Sequence, residues 1–373
     1  MKVVVLGCGR VGYAAALNLV KWGYNVTVAD VDARRINYCR ASLKNVEAVR
    51  LDVKDLEAVR RLVKGFRLVC CTLPGSLSFN VLRLCLSLGL KVVDTSFTPE
   101  DQLKLNDEAE RTDSLLIPDC GFAPGLTNLL AGRIAASFNQ VEELAIYVGG
   151  LPLKPLPPLN YALTWSTEDL IEEYVREARI MVNGETRKVD PLSSIGSIHM
   201  EGVGSLEFFY SDGLRTLLKT LRNVKNMYEA TLRYPGHLNA MLLLKRLGLL
   251  SDTPIEVDGL QIRPKRFLAK LLEANLPRDV EDVVVMKVEA VGIKDGLHVK
   301  ERFIMIERFD AATGLTAMAR VTGGFCAVIA KLVAEGTIKG RGVIPPELIG
   351  MDEQLYSRVM EGMVKAGIHV KKL

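Results

Sequence analysis

Short apolar runs alternate with amphipathic stretches along the first third of the chain. The apolar runs have the length of buried strands and lie at residues 3–6, 26–29, 46–51, 68–73, 91–94 and 115–118. Helical patterns fill the intervals, as at residues 10–22, where Val11, Ala15 and Leu19 share one face. Regular alternation of strand and helix is typical of a parallel sheet. We therefore predict an α/β fold whose first domain is a doubly wound Rossmann sheet of six strands.

The pattern changes after Phe138. Longer strands that alternate apolar and polar positions are predicted at residues 142–148, 206–210, 229–234, 283–291 and 298–307, the last two forming a hairpin around Asp295-Gly296. This indicates a second, α+β domain with a mainly antiparallel mixed sheet. A helical, apolar stretch follows at residues 313–335. We predict a dinucleotide-binding domain at 1–139, a substrate and dimerisation domain at 140–310, and a C-terminal segment at 311–373 that packs back on the first domain.

The composition is that of an ordinary globular protein. Hydrophobic residues make up 49% of the 373 residues and charged residues 25%, with a net charge of +4. Basic residues are interspersed with acidic ones, which does not indicate a nucleic-acid partner. No signal-peptide pattern is visible, and no long apolar stretch free of charges and breaks indicates a membrane span. We expect a cytoplasmic protein that forms a homodimer.

The cysteines and histidines do not form a metal-binding pattern. Seven cysteines occur without CxxC spacing, beside only four histidines, so we predict no metal site. Most of the cysteines lie in apolar runs. We predict buried, reduced thiols of structural character at Cys39, Cys70, Cys71, Cys85 and Cys326.

A glycine motif lies between the first strand and the first helix. Residues 7–12 read Gly-Cys-Gly-Arg-Val-Gly, the GxGxxG pattern that binds a dinucleotide in this context. Gly7 allows the tight turn, Gly9 lets the backbone approach the pyrophosphate, and Gly12 lets the helix pack closely on the strand. Arg10 and Val11 complete the predicted cofactor turn, whose helix N-terminus offers free N–H groups to the phosphates.

An aspartate at the end of the second strand indicates the cofactor. Asp30 is placed to accept hydrogen bonds from the adenosine ribose and to repel a 2′-phosphate, so we predict NAD, with NADP disfavoured. Arg34 and Arg35 weaken this preference, and we interpret them as exposed helix charges. Further cofactor contacts are predicted beyond the carboxyl ends of the strands, at Val31, Asp52, Val53, Thr72, Leu73, Pro74, Thr95 and Ser96.

Several blocks of the sequence resemble the saccharopine dehydrogenase-like family. They lie at residues 119–128, 149–152, 160–166, 232–237 and 343–347, across nearly the whole chain. The block at 233–237 particularly resembles the lysine 6-dehydrogenases within that family. The resemblance implies NAD-dependent oxidation of the ε-amine of L-lysine, giving ammonia and a 6-semialdehyde that cyclises to piperideine-6-carboxylate. Two alternatives stay open: a saccharopine or carboxylated-polyamine dehydrogenase or reductase, and a non-catalytic NAD-sensing module.

Amine oxidation needs a carboxylate clamp and groups that move protons. We predict Arg233 as the clamp for an amino-acid carboxylate, with a structural salt bridge as the alternative. His237 opens a helix, which lowers its pKa and favours a neutral base, although a helix-capping role is also open. Asp119 and Asp94 follow strands and are candidate bases, or else residues that cap turns.

Four further residues are predicted to shape the substrate pocket. Cys120 and Phe122 lie in the glycine–proline turn that follows the sixth strand. Tyr161 and Trp165 follow a stretch rich in proline, where a stiff loop would suit a lid that excludes water. Core packing is the alternative explanation for Trp165.

Overall fold

The computed structural model describes residues 1–164 and 167–373. Its contacts divide the chain into two compact units. The first comprises residues 1–139, 219–221 and 318–369, and the second comprises residues 140–218, 222–317 and 370–373. Residues 311–317 and 370–373 therefore belong to the second unit, whereas the predicted C-terminal segment began at 311. The end of the chain belongs to the second unit because the short strand at residues 371–372 pairs with the sheet of that unit.

Strands and helices are numbered in chain order. The first part of the chain contains β1 (Lys2–Leu6), α1 (Arg10–Lys21), β2 (Asn25–Asp30), α2 (Ala33–Ser42), β3 (Glu47–Arg50), α3 (Leu56–Val63), β4 (Leu68–Cys71), α4 (Gly75–Ser87), β5 (Lys91–Asp94), α5 (Asn106–Arg111), β6 (Leu115–Ile117) and α6 (Leu126–Ser137).

The middle part contains β7 (Gln140–Pro152), α7 (Thr167–Val175), β8 (Ala178–Val182), β9 (Glu185–Val189), β10 (Ile195–Met200), β11 (Gly204–Ser211), α8 (Leu217–Thr220), β12 (Val224–Arg233), α9 (His237–Arg246), β13 (Ile255–Val257), β14 (Leu260–Ile262), α10 (Pro264–Asn275), β15 (Asp282–Lys294) and β16 (Leu297–Arg308). The last part contains α11 (Ala317–Ala334), β17 (Gly342–Val343), α12 (Pro346–Met351), α13 (Glu353–Lys365) and β18 (Lys371–Lys372).

The sheet of the first unit is parallel and has the order β17-β6-β5-β4-β1-β2-β3. Val3, Val4, Val5 and Leu6 are fully buried, as a strand covered on both faces requires. The predicted α/β class and Rossmann sheet are confirmed, and the six predicted strands differ from the observed ones by at most two residues at either end. One helical interval differs from the prediction. Between the fifth and sixth strands, a single helix at 100–112 is replaced by a 3₁₀ turn at Gln102–Leu105 followed by α5, because the Asp101 side chain caps a separate first turn.

Residues 318–369 also belong to the first unit, although they lie far along the chain. Strand β17 pairs with β6 at its edge. Helix α11 is long and apolar enough to cross a membrane by length and composition, which the sequence analysis did not expect. However, 72% of it is buried inside the protein, as for the core helix of a globular domain.

The second unit is built on a nine-stranded sheet. Its main path has the order β10-β11-β12-β7-β15-β16-β18, and β8 and β9 branch from β12. The pairs are antiparallel except for β12 and β7, so the predicted mixed, mainly antiparallel sheet is confirmed. The predicted hairpin turn has both residues in the left-handed region, Asp295 at φ 52° and Gly296 at φ 79°.

One cysteine prediction is wrong. Cys39 is not a free thiol, because its sulfur is bonded to that of Cys8 in the glycine turn. The two lie 31 residues apart in sequence, and nothing in their spacing indicated the pair. The remaining five cysteines are buried and free, as predicted for Cys70, Cys71, Cys85 and Cys326.

Candidate active site

The carboxyl ends of β1 to β6 form an edge that we call the cofactor edge. β1 lies between β2 and β4. The strands that follow β1 are added on one side as β2 and β3 and on the other side as β4, β5 and β6, so the strand order reverses at β1. Dinucleotides bind at such a reversal of strand order. Most of the predicted cofactor residues follow directly from these strand ends, at Gly7, Val31, Asp52, Thr72 and Thr95.

The three glycines of the turn differ in what surrounds them. Gly7 has φ +93°, which side chains rarely adopt. A Cβ on Gly12 would lie 2.0 Å from the Gly7 carbonyl oxygen, so only glycine fits there. A Cβ on Gly9 would meet nothing closer than Arg35 Nη1 at 3.7 Å. The backbone at Gly9 is therefore open to a ligand, and no side chain caps the N-terminus of α1.

Asp30 is held against the glycine turn. Its Oδ2 accepts a hydrogen bond from the Cys8 N–H at 2.7 Å, and its Oδ1 accepts one from the Asp32 N–H at 2.9 Å. Arg35 Nη1 lies 3.5 Å from the same carboxylate. Arg34 pairs with Asp32 and its side chain is 92% exposed. The Arg35 side chain is also exposed, at 56%, as predicted, but it reaches the Asp30 carboxylate.

The Thr72 side chain, directly after β4, is hydrogen-bonded to the glycine turn. Its hydroxyl lies 2.8 Å from the Gly7 carbonyl oxygen and 3.0 Å from that of Leu6, and it donates to this pair. A Cβ on Gly12 would also lie 2.6 Å from Thr72 Oγ1. The strand end at β4 therefore positions the cofactor turn.

Asp94 is not a free base, although its position at the end of β5 suggested one. It is fully buried, and Ser96 Oγ lies 2.7 Å from both of its carboxylate oxygens. Gln102 Nε2 donates to Oδ2 at 2.6 Å. Burial raises the pKa of Asp94 to about 6, although these hydrogen bonds act in the opposite direction. Asp94 and Ser96 therefore anchor the loop that follows β5.

The turn after β6 brings Asp119 to the cofactor edge in a left-handed conformation. Asp119 has φ 51° and is 2% exposed. The Cys120 N–H donates to the Asp94 carbonyl at 2.6 Å, and Gly121 and Gly125 close the turn. Non-glycine residues in this region often occur at functional sites. Burial raises the pKa of the Cys120 thiol, and Asp94 and Asp119 raise it further, so Cys120 is not an activated nucleophile.

The second unit contains a cluster that we call the Arg233 cluster: Arg233, Glu173, Tyr174, Tyr161 and His237. The Arg233 guanidinium donates to the Tyr174 hydroxyl at 2.9 Å, to the Leu232 carbonyl at 2.9 Å and to the Glu173 carboxylate. Its Cζ lies 4.9 Å from the centre of the Tyr161 ring. Arg233 is 2% exposed, so this geometry favours the structural salt bridge over the predicted carboxylate clamp.

His237 uses both ring nitrogens inside the Arg233 cluster. Nδ1 lies 2.8 Å from the Leu159 carbonyl oxygen and therefore donates to it. Nε2 then accepts from the Tyr174 hydroxyl at 2.7 Å. The pKa of His237 is lowered to about 3, as the sequence predicted in direction. The causes are burial and then the charge of Arg233, rather than a helix terminus. His237 is too weak and too enclosed to serve as the predicted base.

Residues that complete these clusters were missed from the sequence. Glu173 and Tyr174 lie on α7, and Gln102 lies in the 3₁₀ turn. The only available signal was the amphipathic pattern of α7, which does not mark a partner for an arginine sixty residues away. Phe122 and Tyr161 are buried, at 4% and 1% exposure.

Some predictions stay predictions. Trp165 lies outside the described residues. Asp119 belongs to the first unit and Arg233 and His237 to the second, so their predicted convergence is untested. In the ranges that the structure describes, no group of three His, Cys, Asp or Glu side chains could hold a metal ion.

Two domain models of known proteins match this chain. Residues 3–117 match the saccharopine dehydrogenase NADP binding domain, and residues 121–368 match the saccharopine dehydrogenase C-terminal domain. The chain belongs to the saccharopine dehydrogenase family. The resemblance of the sequence blocks to that family is confirmed, whereas a particular closeness to lysine 6-dehydrogenases is not shown.

Named relatives within the saccharopine dehydrogenase family are distant. The L-glutamate-forming, NADP(+)-dependent saccharopine dehydrogenase of Pyricularia oryzae is 22% identical and covers 99% of this chain and 98% of its own. The mitochondrial alpha-aminoadipic semialdehyde synthase of Mus musculus is 22% identical over 82% of this chain. This chain spans only 40% of that longer relative. Both are enzymes of amino-acid metabolism, and the first is named for NADP(+) rather than the NAD predicted here.

A solved structure shares the fold over the whole chain. The apo saccharopine dehydrogenase (L-Glu forming) from Saccharomyces cerevisiae superposes with a TM-score of 0.81, covering 100% of this chain and 99% of its own. Its identity of 20% means that the likeness concerns the fold. The dinucleotide-binding domain at residues 3–117 rests on the match to the domain model and not on this likeness of fold.

Proposed function

We propose that this protein oxidises the ε-carbon–nitrogen bond of L-lysine with a nicotinamide dinucleotide. The observation that carries the proposal is the match of both units to saccharopine dehydrogenase domains, combined with an open, uncapped glycine turn. In the proposed reaction the ε-carbon gives a hydride to the nicotinamide and becomes an iminium carbon. Water adds to it, ammonia leaves, and the 6-semialdehyde remains to cyclise.

Asp119 is the group that we propose to take the proton from the substrate ammonium. The support is its place at the carboxyl edge of β6 and its left-handed backbone, which the turn at Gly121–Gly125 maintains. A bound nicotinamide supplies the hydride acceptor. The chain's own task is to hold the amine in its neutral form, since an ammonium group does not release hydride from the adjacent carbon.

Arg215 replaces Arg233 as our proposed partner for the substrate carboxylate. Arg215 is buried, at 9% exposure, and it has φ 49°, which is unusual for a long side chain. A buried guanidinium on a strained loop is suited to planar recognition of a carboxylate.

We propose NAD as the preferred cofactor. The support is the carboxylate of Asp30, which two backbone N–H groups hold at the end of β2. Its negative charge disfavours a 2′-phosphate. Arg35 beside it acts in the opposite direction, and relatives are named for NADP(+), so both cofactors belong in the test.

A second candidate function is oxidation of saccharopine itself. The names of the full-length relatives favour it. Saccharopine carries more carboxylates than lysine and therefore needs more cationic partners. Candidates for this role are Arg215, Arg176 and Arg222, of which Arg176 is half-buried and Arg222 is exposed.

The experiment follows absorbance of the reduced cofactor with purified protein at alkaline pH. NAD and NADP are each offered with L-lysine, saccharopine, ornithine and a polyamine. Alkaline pH increases the neutral amine, whose ordinary pKa is about 10.4. Turnover of lysine with release of ammonia is the expected result. Turnover of saccharopine alone would replace the substrate, and dinucleotide binding without any turnover would favour the sensing module.

A further inference from the structure

A small hairpin of the second unit exposes a continuous apolar face. β13 and β14 pair around the two-residue turn Asp258-Gly259, with both residues at positive φ. Val257 lies opposite Leu260, and Ile255 lies opposite Ile262, so these four side chains share one face. Ile255 is 52% exposed and Leu260 is 66% exposed. The hairpin therefore has an apolar face without a cover in the described chain.

The helices that precede and follow the hairpin also expose apolar side chains. Leu243 on α9 and Leu247 directly after it are four residues apart and exposed, and so are Phe267 and Leu271 on α10. The opposite faces of both helices already lie in a shared core cluster. A helix that is apolar on two faces is normally buried on both. An isolated two-stranded hairpin is also marginally stable in water, and a third strand stabilises it.

The two edges of the hairpin differ in their ability to pair with another strand. Glu256 and Gln261 form the middle pair, and in a hairpin with a two-residue turn their N–H and C=O groups point away from the partner strand. On the β13 edge, Pro254 lacks an N–H, and Glu256 would meet a like charge in an identical strand. The β14 edge has neutral Gln261 at its centre and no proline between residues 259 and 263.

Exposed charges of opposite sign lie on the hairpin and directly after it. Glu256 on β13 and Asp258 in the turn are acidic, whereas Arg263 directly after β14 and Arg266 on α10 are basic, and all four are exposed. No ion pair joins any of the four to another residue in the described ranges. A surface that has both acidic and basic side chains without ion-pair partners can complement a second copy of itself. A twofold axis can place the acidic side chains of one copy beside the basic side chains of the other.

We propose that two copies of this chain pair along β14, antiparallel across a twofold axis, to form a four-stranded sheet. Gln261 of one copy then lies opposite Gln261 of the other, at a Cα separation of about 5.5 Å. Leu260 lies opposite Ile262 on the shared apolar face. Arg263 lies opposite Gly259, next to the Asp258 carboxylate. The pairing continues the apolar face across the axis and matches the unpaired charges.

Light scattering across a dilution series tests the interface. The wild-type protein is expected to be a dimer, and Leu260→Lys is expected to weaken its dimerisation at least about tenfold. Gln261→Pro, which removes an outward N–H without touching a bond inside the hairpin, has the same expected effect. The matched control is Leu297→Lys, because Leu297 also follows an Asp-Gly turn and is 67% exposed. It is expected to leave the dimer unchanged.

Thiol cross-linking then locates the axis. Gln261→Cys is expected to give a covalent dimer with a short bifunctional thiol reagent. Glu256→Cys is expected not to, because three strand spacings, roughly 14 Å, would separate the two thiols. The native free cysteines are all buried, so the new thiols report alone.

Three outcomes overturn the proposal. One is a wild-type monomer at every concentration, including a monomer that binds lipid vesicles through the same surface. Another is a dimer that Leu260→Lys and Leu297→Lys affect equally. The third is a dimer in which the cysteine at 256 cross-links and the one at 261 does not. None of these depends on the substrate or on catalytic activity.

Discussion

The cofactor edge and the Arg233 cluster contain the same kinds of residue, but only one of them is open. At the cofactor edge, the first turn of α1 has no side-chain cap, and the space above Gly9 is free. In the Arg233 cluster, each polar atom named above already has a partner inside the protein. The comparison therefore separates a backbone turn that is open to a ligand from side chains that are already paired inside the protein.

This comparison predicts opposite effects of substitution in the two regions. Changes in the Arg233 cluster should lower the free energy of unfolding and leave dinucleotide affinity unchanged. Changes at the cofactor edge should lower dinucleotide affinity and leave the free energy of unfolding unchanged. Asp94 is an exception, because its carboxylate is buried and hydrogen-bonded inside the protein. The four predictions below are ordered by the free energy expected.

Arg233→Ala should have the largest effect. It leaves Glu173 buried at 19% side-chain exposure without a cation, and such a loss costs about 3–5 kcal/mol of unfolding free energy. Urea denaturation at pH 7 measures it. The control is Arg187→Ala on an edge strand, which should change the value by less than about 0.5 kcal/mol. A variant Arg233→Lys with native stability and a raised KM for lysine would instead support the carboxylate clamp.

Asp94→Asn should change how stability depends on pH. The pKa of Asp94 in the folded state, about 6, lies above its ordinary value of 3.8. The folded protein therefore loses about 3 kcal/mol of unfolding free energy as pH rises from 4 to above 6. The asparagine variant lacks this loss, and Gln102 can rotate its amide to suit the new side chain because its Oε1 has no partner. Denaturation at several pH values measures the difference, and a difference independent of pH would contradict the assignment.

Gly9→Ala should weaken dinucleotide binding about 100-fold, or about 2.7 kcal/mol, with little change in melting temperature. The new methyl group occupies the approach of the pyrophosphate but meets no protein atom closely. Calorimetric titration with the cofactor and thermal unfolding measure the two effects. Gly65→Ala, also in open space, is the control. Gly12→Ala should lose stability as well as binding, because its methyl group collides with the Gly7 carbonyl.

Asp30→Asn should shift the ratio of NADP to NAD affinity at least about tenfold toward NADP, or about 1.4 kcal/mol. Removing the charge leaves Arg35 free to meet a 2′-phosphate. Titration with both cofactors gives the ratio. Glu57→Gln, which removes a carboxylate paired with Arg60 on α3, should leave the ratio unchanged. An unchanged ratio for both variants would remove Asp30 from the choice of cofactor.

The first unit could be predicted well because its information is local. β1 is apolar and buried from Val3 to Leu6, and the spacing of the three glycines within six residues marks the turn that follows it. The short hairpin β13–β14 was missed although its Asp258-Gly259 turn is a strong signal, because three-residue strands carry too little alternation.

The fates of Arg233, His237 and Asp94 could not be predicted from the sequence pattern. Arg233 and His237 depend on partners from distant segments: Glu173 for Arg233, and Leu159 and Tyr174 for His237. The partners of Asp94, Ser96 and Gln102, lie within eight residues of it, but in an irregular loop and a 3₁₀ turn that the helical pattern does not describe. Sequence patterns identify residues capable of chemistry. Whether a distant side chain has already satisfied them is decided by tertiary structure.

β17 is synthesised long after its partner β6, and this delay affects how the chain folds during its synthesis. Strand β6 ends at Ile117, but its edge partner lies at residues 342–343. Helix α12 packs against α6 so closely that a Cβ on Gly132 would lie 2.1 Å from the Glu347 carbonyl oxygen. At ribosomal rates of about 5–20 residues per second, the interval between the two strands lasts roughly 10 to 40 seconds. Throughout that time the nascent sheet has an unpaired edge at β6 and a bare face on α6, so this is the period in which a chaperone would protect it from aggregation.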